Sequence, residues 1–169
     1  MENKHKGFTI IEMIIVIAVV AILAVSANVY IGFMKSIKLQ AAADKLVADI
    51  RYAQSQAMSR TTWMGISFEA DPANKYSVYQ TDGIDDTLEI DPANFGQNLI
   101  VNTNDKFGIL IKNINIEGGG SKLAFDGLGA PRNVPYGYPI SQESTVVLGV
   151  DSQTKTISIT PSTGKVTEQ

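Results

Sequence analysis

The sequence predicts an α+β chain: a long N-terminal helix, membrane-spanning in its first half and amphipathic in its second, packed on an antiparallel β-rich head. Three observations predict it. An apolar run from Met13 to Val25 follows a short basic leader, and apolar residues then recur at steps of three and four as far as Arg60. Beyond Arg60 the chain turns to short runs rich in β-branched and aromatic residues, separated by Gly, Pro, Asn and Asp clusters. A length of 169 residues with 44% hydrophobic content allows one soluble domain beside the helix.

Residues 1–7 read as a leader. Lys4, His5 and Lys6 precede the apolar run, which by the positive-inside bias keeps this end cytoplasmic and sends the rest of the chain outward. Residues 8–34 read as the membrane segment, and Glu12 is the residue in it that needs explaining. A carboxylate at the membrane-entering end of such a helix costs roughly 2.5–3.5 kcal/mol on insertion scales, so it implies a partner. Cleavage after Gly7 would supply one, because Phe8 would gain an ammonium one helical turn from its own Glu12 and within reach of the Glu12 of a shifted neighbour. A secretory signal cut at Val25-Ser26-Ala27 and a plain single-span anchor are competing readings, and Glu12 at the start of the apolar region speaks against the first. The length of the run disfavours a buried core helix.

Residues 35–60 read as an amphipathic helix. Leu39, Ala42, Ala43, Leu46, Ile50, Ala53 and Ala57 form its buried stripe, with Lys38, Lys45, Asp49 and Gln56 largely on other faces. No proline occurs before Pro72, so a continuous helix from Phe8 to Ser59 would run roughly 80 Å. Gly32 is its most flexible point, and two helices with a turn there are the alternative.

Residues 61–169 read as the head. Strands are expected at Trp63–Phe68, Tyr76–Tyr79, Leu99–Val101, Ile109–Ile111, Ile114–Ile116, Lys122–Phe125, Val146–Val150 and Thr156–Ile159. All six prolines lie in this region, as expected of turns between strands. Gly118-Gly119-Gly120 reads as a turn, since no Lys-Ser/Thr follows it as a phosphate loop requires.

Composition narrows the chemistry. A net charge of -3 makes neither nucleic acid nor an anionic membrane surface an expected partner from bulk charge. No cysteine is present, which removes disulfides and thiolate metal sites. The single histidine, His5, lies in the leader, and no serine sits in Gly-x-Ser-x-Gly, so no catalytic residue is assigned and no cofactor is expected. Asp82, Asp85 and Asp86, with Glu89 and Asp91 nearby, offer hard oxygen ligands on a Gly-containing loop and make a weak calcium candidate. A solvated acidic loop is the favoured reading, because charge runs ordinarily face solvent.

Lys6-Gly7-Phe8-Thr9-Ile10-Ile11-Glu12 with its apolar run resembles the class III signal of type IV prepilins and of the pseudopilins of type II secretion. That resemblance implies cleavage between Gly7 and Phe8 by a prepilin peptidase, N-methylation of Phe8, and assembly guided by Glu12. Further on, Arg51-Tyr52-Ala53-Gln54-Ser55-Gln56-Ala57, Phe125-Asp126-Gly127-Leu128-Gly129-Ala130-Pro131 and Ile157-Ser158-Ile159-Thr160-Pro161-Ser162-Thr163-Gly164-Lys165-Val166 look like the H-type minor pseudopilins and their FimT/FimU-like minor pilin relatives. The head is then implied to be a pilin-like β-sandwich in the periplasm, on a single-pass inner-membrane helix that becomes filament core. Implied partners are other pseudopilin or pilin subunits, the peptidase, the inner-membrane assembly platform and, before assembly, lipid. FimT-like relatives that bind DNA use arginines near the C-terminus. Here Lys165 is followed by Glu168 and the nearest other base is Lys155, so nucleic acid is not an expected partner. The reading is a minor pseudopilin of type II secretion, not an enzyme. A minor pilin of a type IV pilus, acting in adhesion, motility or DNA uptake, is the alternative. A membrane-tethered periplasmic binding module is the alternative of another class.

Overall fold

The computed structural model describes residues 8–134 and 137–169, with the backbone alone described for 25–31. Residues 1–36 and 37–169 form two compact units. Helix α1 (Ile10–Arg60) is helical throughout, Gly32 included, as expected where an isolated glycine is the one weak helix former and no proline intervenes. Among the described residues no helix is long and apolar enough to cross a membrane. The span expected over 8–34 includes 25–31, whose side chains lie outside the described residues.

The head is all antiparallel. One sheet comprises β1 (Trp63–Glu69), β2 (Lys75–Thr81), β3 (Asp86–Leu88), β4 (Ile100–Asn102), β6 (Lys122–Phe125) and β7 (Pro131–Asn133), in the order β3-β2-β1-β6-β7 with β4 also on β2. The other comprises β5 (Leu110–Asn115), β8 (Ser144–Val150), β9 (Gln153–Ile159) and β10 (Val166–Glu168), in the order β10-β9-β8-β5. Between β4 and β5 lies a short helix, α2 (Thr103–Phe107), opened by the Asn102 side chain and closed by the left-handed Gly108. Strands β3, β7 and β10, and α2, were not among the expected elements. The runs Ile109–Ile111 and Ile114–Ile116 prove to belong to one strand, β5, whose register shifts between Ile111 and Asn113.

One core draws on α1 and on both sheets. The seven stripe residues from Leu39 to Ala57 are all buried, and they meet Met64, Ile66, Phe68, Tyr76 and Val78 of the first sheet and Ile111, Val146, Leu148, Ile157 and Ile159 of the second. Alternation along β1 puts Met64, Ile66 and Phe68 inward. Gly65 between them is required by close approach: a Cβ there would lie 2.4 Å from the Leu123 carbonyl and 2.9 Å from the Tyr79 ring.

Asp49 corrects the helical reading. It was placed away from the buried stripe, yet only 5% of it is exposed. Lys45 Nζ donates to both its oxygens at 2.5 and 2.7 Å, and the Tyr76 hydroxyl donates to Oδ2 at 2.7 Å. Paired and hydrogen-bonded, the carboxylate escapes the penalty of an isolated buried charge.

Asn74 is the other buried polar join. It takes a positive φ of 47°, a conformation asparagine tolerates better than most residues. Its Oδ1 accepts from the Ile111 N–H of β5 at 2.9 Å, and its backbone carbonyl accepts from the Thr103 N–H and hydroxyl at 2.8 and 3.0 Å. Through one residue, by its backbone carbonyl and its side chain, the entry to β2 is tied to α2 and to the second sheet.

Candidate assembly site

The helix opens in a defined way. Thr9 stands just before α1, its Oγ1 accepting from the Glu12 N–H at 3.3 Å and its carbonyl from the Met13 N–H at 3.2 Å. Thr9-Ile10-Ile11-Glu12 thus has the spacing of a capping box, and Glu12 sits in the first turn, where the helix dipole favours an anion. Glu12 therefore has a local role in starting α1 besides the one expected of it between chains. Phe8 lies just ahead of this turn, 78% exposed, and Gly7 lies outside the described residues.

From Ile10 to Ile17, Glu12 apart, the helix has no polar side. Ile10, Ile11, Met13, Ile14, Ile15, Val16 and Ile17 are all more than half exposed, so apolar surface runs around the whole circumference. A helix apolar on every side needs lipid or other helices around it.

The second half of α1 is clamped to the head by polar contacts spread along it. Gln40 donates to Glu168 on β10 at 3.0 Å, Arg51 to the Val166 carbonyl at 3.3 Å, and Arg60 to both Glu89 oxygens at 3.0 and 2.8 Å. Gln54 holds two loops at once, donating to the carbonyls of Gly129 at 2.8 Å and Thr163 at 3.0 Å.

The loop that Gln54 grips is itself built around Asp126. Its Oδ1 accepts from the N–H groups of Leu128 and Ala130 at 2.9 and 3.0 Å, and its Oδ2 takes Arg132 Nε and Nη2 at 2.8 and 2.6 Å. Burial works against the charge, but the guanidinium and the two N–H groups outweigh it and hold the carboxyl below its ordinary range. The run Asp126-Gly127-Leu128-Gly129, a family likeness at the level of sequence, is this clasp in the structure. Asp followed within four residues by two glycines, with an Arg six on, is the signal that carries it.

In the acidic loop the Asp82 and Asp86 carboxylates have partners within the protein. Asp82 Oδ1 accepts from the N–H groups of Ile84 and Asp85 at 2.9 and 2.8 Å, which lowers its pKa, while Asp86 pairs with Lys122 at 2.5 Å. No set of three or more His, Asp or Glu side chains is gathered to hold a metal ion among the described residues, so Asp82, Asp85 and Asp86 are not brought together as ligands.

Comparison with known proteins finds two family models on this chain. Residues 3–28 match the prokaryotic N-terminal methylation motif, and residues 42–164 match the family described as type II transport protein GspH. No curated protein matches the sequence. Among solved structures, the chain is similar to the type IV minor pilin FimU of Pseudomonas aeruginosa strain PAO1, in two crystal forms. In one the identity is 20% and the TM-score 0.50, covering 78% of this chain and 92% of that one. In the other they are 19% and 0.53, covering 81% and 92%. It is also similar to the minor pseudopilin EpsH of the type 2 secretion system of Vibrio cholerae, at 10% identity and a TM-score of 0.57, covering 78% and 96%. At these identities the likenesses establish the fold: a helix packed on antiparallel sheets, as in pilins and pseudopilins.

Proposed function

The chain belongs to the type II transport protein GspH family, and from that premise we propose that it works as a minor pseudopilin, a structural subunit of a type II secretion pseudopilus. The observation that carries the reading is the coincidence, on one chain and in order, of a methylation motif over 3–28 and the GspH match over 42–164. Both fit a helix whose exposed apolar half has no use in a free soluble protein.

In this reading residues 8–34 anchor the subunit in the inner membrane with the head, residues 61–169, in the periplasm. Residues 1–7 are removed by a prepilin peptidase and Phe8 is N-methylated. Extracted by the assembly platform, the helix exchanges lipid for the helices of other subunits. Glu12, exposed in the first turn, then meets the Phe8 amine of a neighbour, and a buried pair replaces a lone charge. The chain's own residues supply packing and charge pairing here, and no reaction is assigned to them.

Intact-mass and N-terminal peptide analysis of protein from host membranes tests the processing. A terminus at Phe8 bearing one methyl supports it, whereas a terminus at Asn28 or an uncut Met1 removes its basis. Glu12→Ala tests assembly: the variant is expected to reach the membrane with a folded head and to be absent from sheared or purified filaments. Normal incorporation of that variant would overturn the role of Glu12. The likeness to FimU makes a type IV minor pilin the second reading, and disruption of the gene separates the two by whether secretion or surface piliation is lost.

A further inference from the structure

The apolar surface of the head is unevenly spread. Ile84, Leu88, Ile90, Phe95 and Ile100 are all exposed and fall within one stretch of the chain. Among the other described residues of the head, only Leu128 and Tyr138 are large hydrophobic side chains left so open. Single surface hydrophobics are ordinary, but a group of them marks a contact. Leu88, Ile90, Pro92 and Phe95 border a groove of about 430 Å³, which Tyr52 and Arg60 of α1 also line.

The groove has a fixed wall. Across the turn that carries Phe95, the Asp91 N–H donates to the Gln97 carbonyl at 2.8 Å, and the Asn94 and Gln97 N–H groups donate to the carbonyls of Asp91 and Asn94 at 3.1 Å. Asp91 adds its side chain, Oδ1 accepting from the Ala93 N–H at 2.8 Å and Oδ2 from the Asn94 amide at 3.0 Å. At the base of the turn Ile90 pairs with Asn98, and Arg60 holds Glu89 by two hydrogen bonds. Phe95, 92% exposed, therefore stands on a turn that its own backbone fixes. An aromatic side chain on a rigid support loses little freedom on docking, which suits an anchor.

The free charges around the groove are acidic. Arg60, in the groove, pairs with Glu89, and Lys45, nearby, pairs with Asp49. Asp91 in the groove wall, and Asp82 and Asp85 across Thr87, form no ion pair among the described residues. The Asn94 amide and the Ala93 N–H hold the Asp91 carboxyl below its ordinary range, so it stays charged. Symmetry argues against a second copy as the occupant. A two-fold pairing through this face would set the acidic rim against its own like, and a head-to-tail contact would propagate from copy to copy, which a minor subunit does not do.

We infer that this groove receives an apolar side chain, flanked by Lys or Arg, from the head of a different subunit of the same filament. The inference rests on the assembly reading and gives it a face and a partner chemistry. Packing through α1 brings a neighbour alongside the helix that lines the groove, Phe95 and Ile90 anchor that neighbour, and the acidic rim selects its charge.

The full-length chain, carrying benzoylphenylalanine in place of Phe95, is expressed in its host with the assembly genes intact and irradiated. The cross-linked peptide is then sequenced by mass spectrometry. The same analogue at Leu128 reports another face of the head, and at Ile17 it reports helix packing. At position 95 the expected adduct is another chain with its own N-terminal methylation motif, joined through a head peptide in which Lys or Arg stands beside apolar residues. Asp85→Lys removes a carboxylate that accepts no hydrogen bond among the described residues, so the turn stays intact. It is expected to lower the adduct about tenfold or more by setting like charges across the rim, with the thermal melt and the Ile17 adduct unchanged. An adduct at 95 to a second copy, to a secreted protein or to lipid overturns the inference. So does an adduct indifferent to Asp85→Lys, or capture of the same peptide as readily from Leu128. No adduct at 95 where Ile17 does cross-link also overturns it and leaves the assembly reading standing. Loss of both adducts counts against both.

Discussion

Asp126 shows how one side chain can set a local structure that sequence pattern alone leaves unspecified. Its two oxygens serve two backbone N–H groups and one guanidinium, and together they hold the turn that presents Leu128. A carboxyl held below its ordinary pKa stabilises the fold above its unfolded value near 4 and loses that contribution as pH falls through the lower folded value. Asp126→Asn is therefore expected to cost about 1–3 kcal/mol at pH 7, an amount typical of a hydrogen-bonded buried charge. Thermal melts at pH 7 and pH 3 check it, since the gap between variant and parent should narrow at the acid end. Asn74 gives a second test. Asn74→Ala removes the acceptor for the buried Ile111 N–H, and about 1–3 kcal/mol of stability should be lost in a urea titration with an unchanged slope.

Among the elements, α1 supplies an unbroken row of buried positions to the core from Leu39 to Ala57. Ile50 is 1% exposed and Leu46 fully buried at the centre of the core, so Ile50→Ala should cost about 2–5 kcal/mol, measured as the shift of the denaturation midpoint. These positions were legible because helical period and burial coincide over many turns. The longer strands were legible for the same reason, with β1, β2, β6, β8 and β9 all found where short β-rich runs stand between turn clusters. What escaped was short: β3, β7 and β10 have three residues each, too few for alternation to register, and they pair only because a longer neighbour offers its edge. Asp49 escaped for another reason. Its burial depends on Tyr76, a residue 27 positions away in sequence, and no local pattern announces such a partner. At the site the balance reverses. The methylation motif matched over residues 3–28 was legible from residue order alone, while the capping contact from Thr9 to the Glu12 N–H needed the backbone.

At the scale of the whole molecule, residues 37–169 form a compact unit containing the entire shared core. A fragment beginning at Ile37 should fold without detergent and melt cooperatively, with a midpoint close to that of the head in the full chain. Calorimetry of both checks this, and a fragment without a cooperative transition would show that the N-terminal unit is needed for folding. The polar clamps along α1 have a mechanical meaning. From Gln40 to Arg60 they are spaced over about 30 Å of helix and reach β10, both Gln54-held loops and Glu89. A pull along the helix axis loads these attachments in shear and in parallel, so none can fail before the others share its load. A pull across the axis would peel them one by one. Forced detachment is governed by the unfolding barrier rather than by equilibrium stability. The head is thus fastened most firmly against a pull along the axis of the helix it packs on, and most weakly against one that lifts the helix from either end.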